Sequence, residues 1–171
     1  MPEASREFAV RPAVPADVRA IRDLVEPYAN RRILIAKEQV AYYEAVQELV
    51  VAVDADGTVV GCGALHVMWV DLAEIRTLAV DPGWVGAGVG HAILDTLIDR
   101  ARSLGLERVF CLTFEVDFFT RHGFEEIEGT VVSPDVYAEL LRSHDDGVAE
   151  FLDLARVKPN TLGNTRMLLH L

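Results

Sequence analysis

Two kinds of apolar spacing divide this chain of 171 residues into strands and helices. Alternating or continuous apolar runs, which are typical of strands, occur at residues 8–14, in a hairpin over 48–70, and at 72–80, 107–114, 125–132 and 165–171. Apolar residues at helical spacing predict helices after Pro15, within 31–46, from Gly88 to Gly105, within 116–123 and from Ser133 to about Ser143. The order βα(α)βββαβαβ, without a repeat or a linker, predicts a mixed α/β sheet in one domain.

Charge and composition exclude several classes of function. The formal net charge of −11 argues against a general nucleic-acid binder, which would show a basic face, and against attraction to anionic membranes. No apolar run approaches the ~20 residues that span a bilayer, and the segment MPEASREFAV lacks the apolar core of a signal peptide. Cys62 and Cys111 stand alone in apolar strand segments, so we expect reduced core cysteines in a cytoplasmic protein.

The stretch DPGWVGAGVG places Gly86, Gly88 and Gly90 just before a predicted helix. It is not a dinucleotide fingerprint, because the third glycine of G-x-G-x-x-G would fall at His91, and it is not a Walker loop, because no lysine follows. Glycines without side chains let a phosphate approach the main-chain amides, and the helix N-terminus adds positive potential. The glycines alone leave two interpretations open: a phosphate-binding loop, or a tight turn without a ligand.

The strand AEIRTLAV, the glycine loop, the helix HAILDTLIDRAR, the strand ERVFCLTF and the segment FFTRHGF follow in an order that resembles the core of the GNAT acyltransferase superfamily. The stretches ILIAKEQVAYYEAV, GCGALH and NTRMLLHL further resemble the N-acetylglutamate synthases, in a short form without their amino-acid-kinase-like domain. The resemblance implies a single GNAT domain over residues 1–171, with a mixed, mostly antiparallel central sheet flanked by helices.

The same resemblance implies a reaction. Acetyl-CoA would donate its acetyl group to the α-amine of L-glutamate, or of L-glutamine, by direct attack in a ternary complex, as the first step of arginine biosynthesis. Two other functions stay open: a GNAT enzyme for another small amine or a protein N-terminus, and a non-catalytic acyl-CoA-binding module. The partners are then small molecules, and a homodimer is compatible with the resemblance. The histidines show no metal-ligand spacing, so no metal is expected.

Residues that would hold acetyl-CoA follow from the family pattern. They lie at the strand end, in the glycine loop and in a later helix: Leu78, Ala79, Val80, Val85, Gly86, Ala87, Gly88, Val89, Gly90, His91 and Phe119. Gly88 and Gly90 match the two glycine positions of the family loop, whereas Val85 falls where Gln or Arg is usual. Phe119 falls where many members have a tyrosine that protonates the leaving thiolate, and phenylalanine has no proton to donate.

Catalytic groups are expected on the strand before the loop. Members whose strand reads A-E-I use the glutamate as base, which makes Glu74 the candidate here; the alternative is a solvated or ion-paired strand glutamate. A main-chain N–H near Leu78 would polarise the thioester oxygen, as in an oxyanion hole. His66 matches a substrate-contacting lysine of the longer synthases and could serve acid–base chemistry; the alternative is a buried structural histidine.

Cations are expected to bind the carboxylates of the acceptor. Arg76 lies two residues after Glu74 and so on the same face of a regular strand, where it would bind substrate or pair with Glu74. Lys37 and Thr165 match basic and serine positions of the synthases. The arginine that the family has near Gly163 is absent, and Arg166 or Lys158 would have to replace it.

Overall fold

The computed structural model describes residues 6–31, 33, 37–154 and 163–171. Within these residues the strands are β1 (Phe8–Pro12), β2 (Leu49–Asp54), β3 (Val59–Trp69), β4 (Leu72–Val80), β5 (Arg108–Thr113), β6 (Glu125–Glu126) and β7 (Thr165–His170). The helices are α1 (Val18–Asn30), α2 (Gln39–Glu44), α3 (Val89–Ser103), α4 (Val116–Arg121), α5 (Pro134–Leu140) and α6 (Asp146–Phe151). No helix in the described part of the chain is long and apolar enough to cross a membrane.

The strands form one sheet in the order β1-β2-β3-β4-β5-β7-β6. The pairs β1–β2, β2–β3, β5–β7 and β6–β7 are antiparallel, and β4–β5 is parallel. The predicted fold class, a mixed and mostly antiparallel sheet with helices, is therefore confirmed. Contacts divide the chain into two compact units, Met1–Leu65 with Thr77–Arg100 and His66–Arg76 with Ala101–Leu171. The single-domain assignment for residues 1–171 stays a prediction.

In the first unit, the apolar face of α1 covers the sheet. The apolar residues whose helical spacing predicted α1 are Ile21, Leu24, Val25 and Tyr28; the first three are buried and Tyr28 is partly buried. Together with Val18 they pack with Val51 and other strand residues. Cys62 is buried in this core and Cys111 is buried in the second unit; both are free, as expected.

Two glycines of β3 bring α3 close to the sheet. A Cβ atom at Gly61 would lie 2.7 Å from Cγ1 of Val89, and one at Gly63 would lie 2.7 Å from Cγ2 of Ile93. Real Cβ atoms do not approach other atoms so closely, so these positions accept only glycine without repacking. This close contact fixes the first turns of α3, which begin directly after the glycine loop.

In the second unit, α6 packs on neighbouring strands. Leu72 of β4, Phe110 of β5 and Leu168 of β7 are buried with Val148 and Phe151 of α6. The Phe110 and Phe151 rings meet edge to face at 5.2 Å between centroids. The apolar side of α6 is thus held on the sheet beside the strand that carries Glu74.

Two expectations for the second half of the chain need correction, and one helix there was not predicted. The strand predicted over 125–132 is limited to β6. Of the residues after β6, Val131 accepts a side-chain hydrogen bond through its carbonyl, from Arg108 at 2.7 Å. The helix predicted to about Ser143 ends at Leu140. The helix α6 was not predicted, because its six residues include a glycine and follow an acidic run without a clear apolar period.

Candidate active site

The glycine loop after β4 has the backbone that a phosphate-binding loop requires. Gly86 and Gly88 have φ of +88° and +86°, in the left-handed region that favours glycine. A Cβ atom at either position would meet nothing within 4 Å, so the loop is bordered by open space. Ala87 donates its N–H to the carbonyl of Trp84 at 3.1 Å, and the side chain of Val85 projects with 71% exposure.

The loop leads into the N-terminus of α3, a helix of 15 residues. The first bond of the helix runs from N of Ala92 to O of Gly88 at 3.0 Å, so the amides of Gly88, Val89 and Gly90 have no acceptor inside the helix. Their N–H groups and the helix dipole favour an anion at this point. Val89 is buried in the core, whereas His91 is exposed.

The end of β4 departs from regular strand geometry. Thr77 has a φ of 60°, a rare conformation for a β-branched residue. This bend directly precedes Leu78, where a main-chain donor for the thioester was predicted. Leu78 is half-buried, Ala79 is buried, and the carbonyl of Val80 accepts a bond from the hydroxyl of Tyr28 at 2.6 Å. Their roles toward acetyl-CoA stay predictions.

Phe119 of α4 lies in an aromatic group. Its ring centroid is 5.1 Å from those of Phe118 and Phe124, and it is 5% exposed. These contacts account for Phe119 as a packing residue, and its predicted contact with the cofactor stays a prediction.

Glu74 and Arg76 lie on the same face of β4, as the strand period predicted. Nη2 of Arg76 is 3.1 Å from Oε2 of Glu74. The same guanidinium binds Asp145 with both Nη atoms, at 2.8 and 2.6 Å. Bidentate arginine–carboxylate pairs form short, charge-assisted hydrogen bonds that are roughly twice as strong as bonds between neutral groups. Arg76 therefore joins Glu74 to the start of α6.

Asp145 is also the N-cap of α6. Its Oδ1 accepts the N–H of Val148 at 3.0 Å, and its own N–H donates to Oγ of Ser143 at 3.1 Å. The carboxylate of Asp145 thus caps α6 and also binds Arg76, while its main-chain N–H binds Ser143.

Gly147 allows α6 to approach this ion pair. A Cβ atom here would lie 2.2 Å from Oε2 of Glu74 and 2.4 Å from Nη2 of Arg76. Both distances are far below van der Waals contact, so any larger residue would push the helix or the pair away.

Burial and charge shift the carboxyl groups of the cluster in opposite directions. Glu74 is 3% exposed; desolvation raises its pKa, the charge of Arg76 opposes this, and Asp145 adds to it. For Asp145, desolvation acts upward but is outweighed by the bonds and charge of Arg76 and by the amide of Val148, so its pKa is lowered. Asp145 is therefore the fixed anion of the cluster, and Glu74 is the carboxyl whose pKa lies above its ordinary value.

The other predicted substrate residues have these positions. His66 is half-buried, with Nε2 at 3.9 Å from Oδ2 of Asp145, so it joins the same cluster. Lys37 and Thr165 are half-buried. Arg166 donates to the main-chain carbonyls of three residues, which are Gly129, Glu150 and Phe151. Lys158 lies outside the described residues.

Asp145, Gly147 and Glu150 were missed by the sequence analysis. One signal was present: an aspartate that precedes an apolar run is a helix N-cap pattern, which would have placed a helix start at Asp145. The pairing with Arg76, across 69 residues of chain, had no local signal. Among the described residues, no group of three or more His, Cys, Asp or Glu could hold a metal ion.

Comparison with known proteins adds independent information. Residues 18–124 match the model of the acetyltransferase (GNAT) family. The amino-acid acetyltransferase of Mycobacterium tuberculosis (strain ATCC 25618 / H37Rv) is 62% identical over 162 residues, which are 94% of this chain and 92% of that protein. The amino-acid acetyltransferase of Vibrio vulnificus (strain CMCP6) is 30% identical over 121 residues, which are 69% of this chain and 27% of that protein.

Solved structures show the same fold. Rv2747 from Mycobacterium tuberculosis, in complex with CoA and NLQ, has a TM-score of 0.92 and 61% identity, and the match covers 95% of this chain and 99% of that chain. The N-acetylglutamate synthase of Neisseria gonorrhoeae, complexed with coenzyme A and N-acetyl-glutamate, has a TM-score of 0.76 at 23% identity over 96% of this chain and 35% of that chain.

The Asp145–Arg76 pair predicts a pH-dependent loss of stability in Asp145→Asn. Asparagine is also a good N-cap, so the variant removes mainly the charged bonds to Arg76. We expect the free energy of unfolding at pH 7 to fall by about 1.5–3 kcal/mol, measured by urea denaturation.

The sign of the pH effect follows from the lowered pKa of Asp145. The stability that the ionised group contributes is present above its unfolded pKa of about 4 and is lost as the pH falls below it. The difference between wild type and Asp145→Asn should therefore shrink below about pH 4. Glu139→Gln, at an exposed ion pair with Arg142, is the control and should cost under about 0.5 kcal/mol. A difference that stays constant from pH 7 to pH 3 would contradict this assignment.

Proposed function

Because the chain belongs to the GNAT acetyltransferase family, we propose that it transfers the acetyl group of acetyl-CoA to the α-amine of an amino acid, L-glutamate first and L-glutamine second. The observation that carries the proposal is Glu74, a buried carboxyl that Arg76 holds on the strand leading into the glycine loop. The relative that is 62% identical is an amino-acid acetyltransferase, which supports an amino acid as the acceptor.

Acetyl-CoA is the cosubstrate, as the sequence predicted, and relatives of the same fold have been solved with CoA. In the proposed complex, the pyrophosphate of acetyl-CoA lies on the amides at Gly86–Gly90 and on the N-terminus of α3. Local main-chain donors are needed because the net charge of −11 repels an anion. Val85 provides no polar contact, so the amides carry more of the binding.

Glu74 is the proposed base. An α-ammonium group has a pKa of roughly 8 even in a peptide, so the acceptor arrives charged and must lose a proton before it attacks. The raised pKa of Glu74 brings this carboxyl closer to neutral pH, where a base is most effective. After deprotonation, the nitrogen attacks the thioester carbon, and a main-chain N–H near Leu78 would stabilise the oxyanion.

Arg76 has a positioning role in this scheme. Both Nη atoms are bound to the carboxylates of Asp145 and Glu74, so the guanidinium orients the base. The sequence left pairing with Glu74 and binding of substrate open, and the contacts favour pairing. His66, Lys37, Thr165 and Arg166 remain proposed contacts for the acceptor. A cytoplasmic location, the first step of arginine biosynthesis and a homodimer remain predictions.

The acceptor is tested with purified protein, acetyl-CoA and a panel of amino acids, with free thiol as the readout. We expect thiol release that depends on L-glutamate or L-glutamine. Release with other amines alone would replace the proposed acceptor. Binding of acetyl-CoA without release for any acceptor would identify a non-catalytic module.

Glu74→Gln tests the base. We expect kcat/KM at pH 7 to fall by about 100-fold or more, because only the small fraction of acceptor that is already a neutral amine can then react. The deficit should shrink toward pH 9, where free amine is plentiful. The measurement is the pH–rate profile of both proteins. A constant ratio of the two rates over this range would remove Glu74 as base.

Gly88→Asp tests the loop, with Gly88→Asn as its matched control. Asp and Asn have the same shape and both tolerate a positive φ, so the two variants differ in charge alone. A carboxylate beside the pyrophosphate should weaken acetyl-CoA binding by roughly tenfold or more relative to Gly88→Asn, measured by calorimetry. Equal affinities would place the pyrophosphate elsewhere.

A further inference from the structure

Glu150 is a buried carboxyl that the proposed mechanism does not use. It lies on α6, three residues after Gly147, and residues three apart share one face of a helix. Since Gly147 is the residue against the Glu74–Arg76 pair, Glu150 belongs to the same side of the helix. The residue is 5% exposed, and its Oε1 is buried without a hydrogen-bond partner among the described residues.

The cluster formed by Glu74, Arg76, Asp145 and Glu150 contains three carboxyl groups and one guanidinium group. Glu74, Asp145 and Glu150 are carboxyls, and Arg76 is bound to the first two. Arg166 of β7 donates through Nε to the main-chain carbonyl of Glu150, at 3.2 Å, so this bond satisfies the main chain and not the carboxyl.

Within the described ranges of the chain, the remaining titratable groups around Glu150 do not add a second fixed cation. Asp146 at the start of α6 is another carboxyl that acts on Glu150. On β3, Nε2 of His66 lies 3.9 Å from Oδ2 of Asp145. The Cys111 thiol on β5 is buried. Desolvation raises its pKa, and the charge of Glu74 raises it further, so the thiol adds no charge to the cluster. The cluster therefore suits a ligand that brings a positive charge.

We propose that Glu150 receives the α-ammonium group of the acceptor amino acid and carries a proton until that group binds. The inference rests on the proposed function and assigns the binding partner of the reacting nitrogen. A buried carboxyl without a partner is costly as an anion but tolerable as a neutral acid. An ammonium group supplies both the missing hydrogen-bond donor and the missing positive charge.

The electrostatics of Glu150 agree with this role. Desolvation, followed by the charge of Glu74, raises the pKa of Glu150 to about 8. The group is therefore mostly protonated at pH 7 in the free protein. A cation at bonding distance favours the ionised form and lowers this pKa, so binding of the acceptor should release a proton.

The proton balance of the reaction fits two carboxyls. The acceptor nitrogen arrives with three protons and the amide product keeps one; an N–C bond forms, the C–S bond breaks and sulfur leaves with the electron pair. One of the two protons lost by nitrogen is taken by Glu74, the proposed base, and ends on the sulfur of CoA. The other is taken by Glu150 and restores its starting form, while the proton released on binding is the net proton of the reaction.

Calorimetry tests the proposal with the protein saturated with CoA, so that no transfer occurs when L-glutamate or L-glutamine is added. Titrations in phosphate and in Tris buffer at pH 7 give the number of protons released per acceptor bound. We expect most of one proton for the wild type. In Glu150→Gln the release should disappear, and acceptor affinity should fall by about tenfold or more while CoA affinity is unchanged.

Glu139→Gln, on the exposed side of α5, is the matched control and should behave as the wild type. Infrared difference spectra of the wild type give a second measurement that needs no variant: acceptor binding should remove the C=O stretch of a protonated carboxyl. A wild type without this band loss, or a Glu150→Gln protein that keeps proton release and acceptor affinity, overturns the role of Glu150 while leaving acetyl transfer intact. An absence of thiol release with every amino acid would instead defeat the proposed function itself.

Discussion

The bidentate pair between Arg76 and Asp145 is the constraint on which the rest of the acceptor chemistry depends. It neutralises the one strongly acidic carboxyl of the cluster, and it uses the only guanidinium that the described residues place between Asp145 and Glu74. Glu74 therefore receives a single bond from the same cation, and burial can raise its pKa. The base proposed at Glu74 would owe its raised pKa to burial and to one positive charge that is shared unequally between two anions.

Glycine serves two opposite purposes in this protein. At Gly147 the missing side chain removes volume, so that a helix can press against an ion pair. At Gly86 and Gly88 the surroundings are open, and the requirement is a backbone with positive φ. The first kind of glycine shapes the interior of the second unit and the second kind shapes the surface of the first unit. Neither can be exchanged for alanine without a specific structural cost.

Elements with a local signal could be predicted from the sequence, and elements made by distant contacts could not. The bounds 72–80 match β4 because apolar residues, Asp81 and Pro82 mark its end, and the shared face of Glu74 and Arg76 follows from the strand period. The helix α6 is too short for a clear period, and its stability comes from packing on Phe110. Asp145 and Glu150 depend on that helix; an N-cap pattern marked its start, but nothing local in the chain indicated that it would bring these two carboxyls to Arg76 and Glu74.

The position of β7 in the sheet has a consequence for how the protein is made. This strand lies between β5 and β6 in the sheet and pairs with both of them. During synthesis β5 and β6 are therefore made before the strand that joins them, because β7 follows both in the chain. Arg166, which binds the carbonyls of Glu150 and Phe151, arrives with the same strand. The glycine loop is thus synthesised well before β7, one of the strands on which α6 packs, and the carboxyl groups that α6 brings to the cluster are held in place only after β7 has been made.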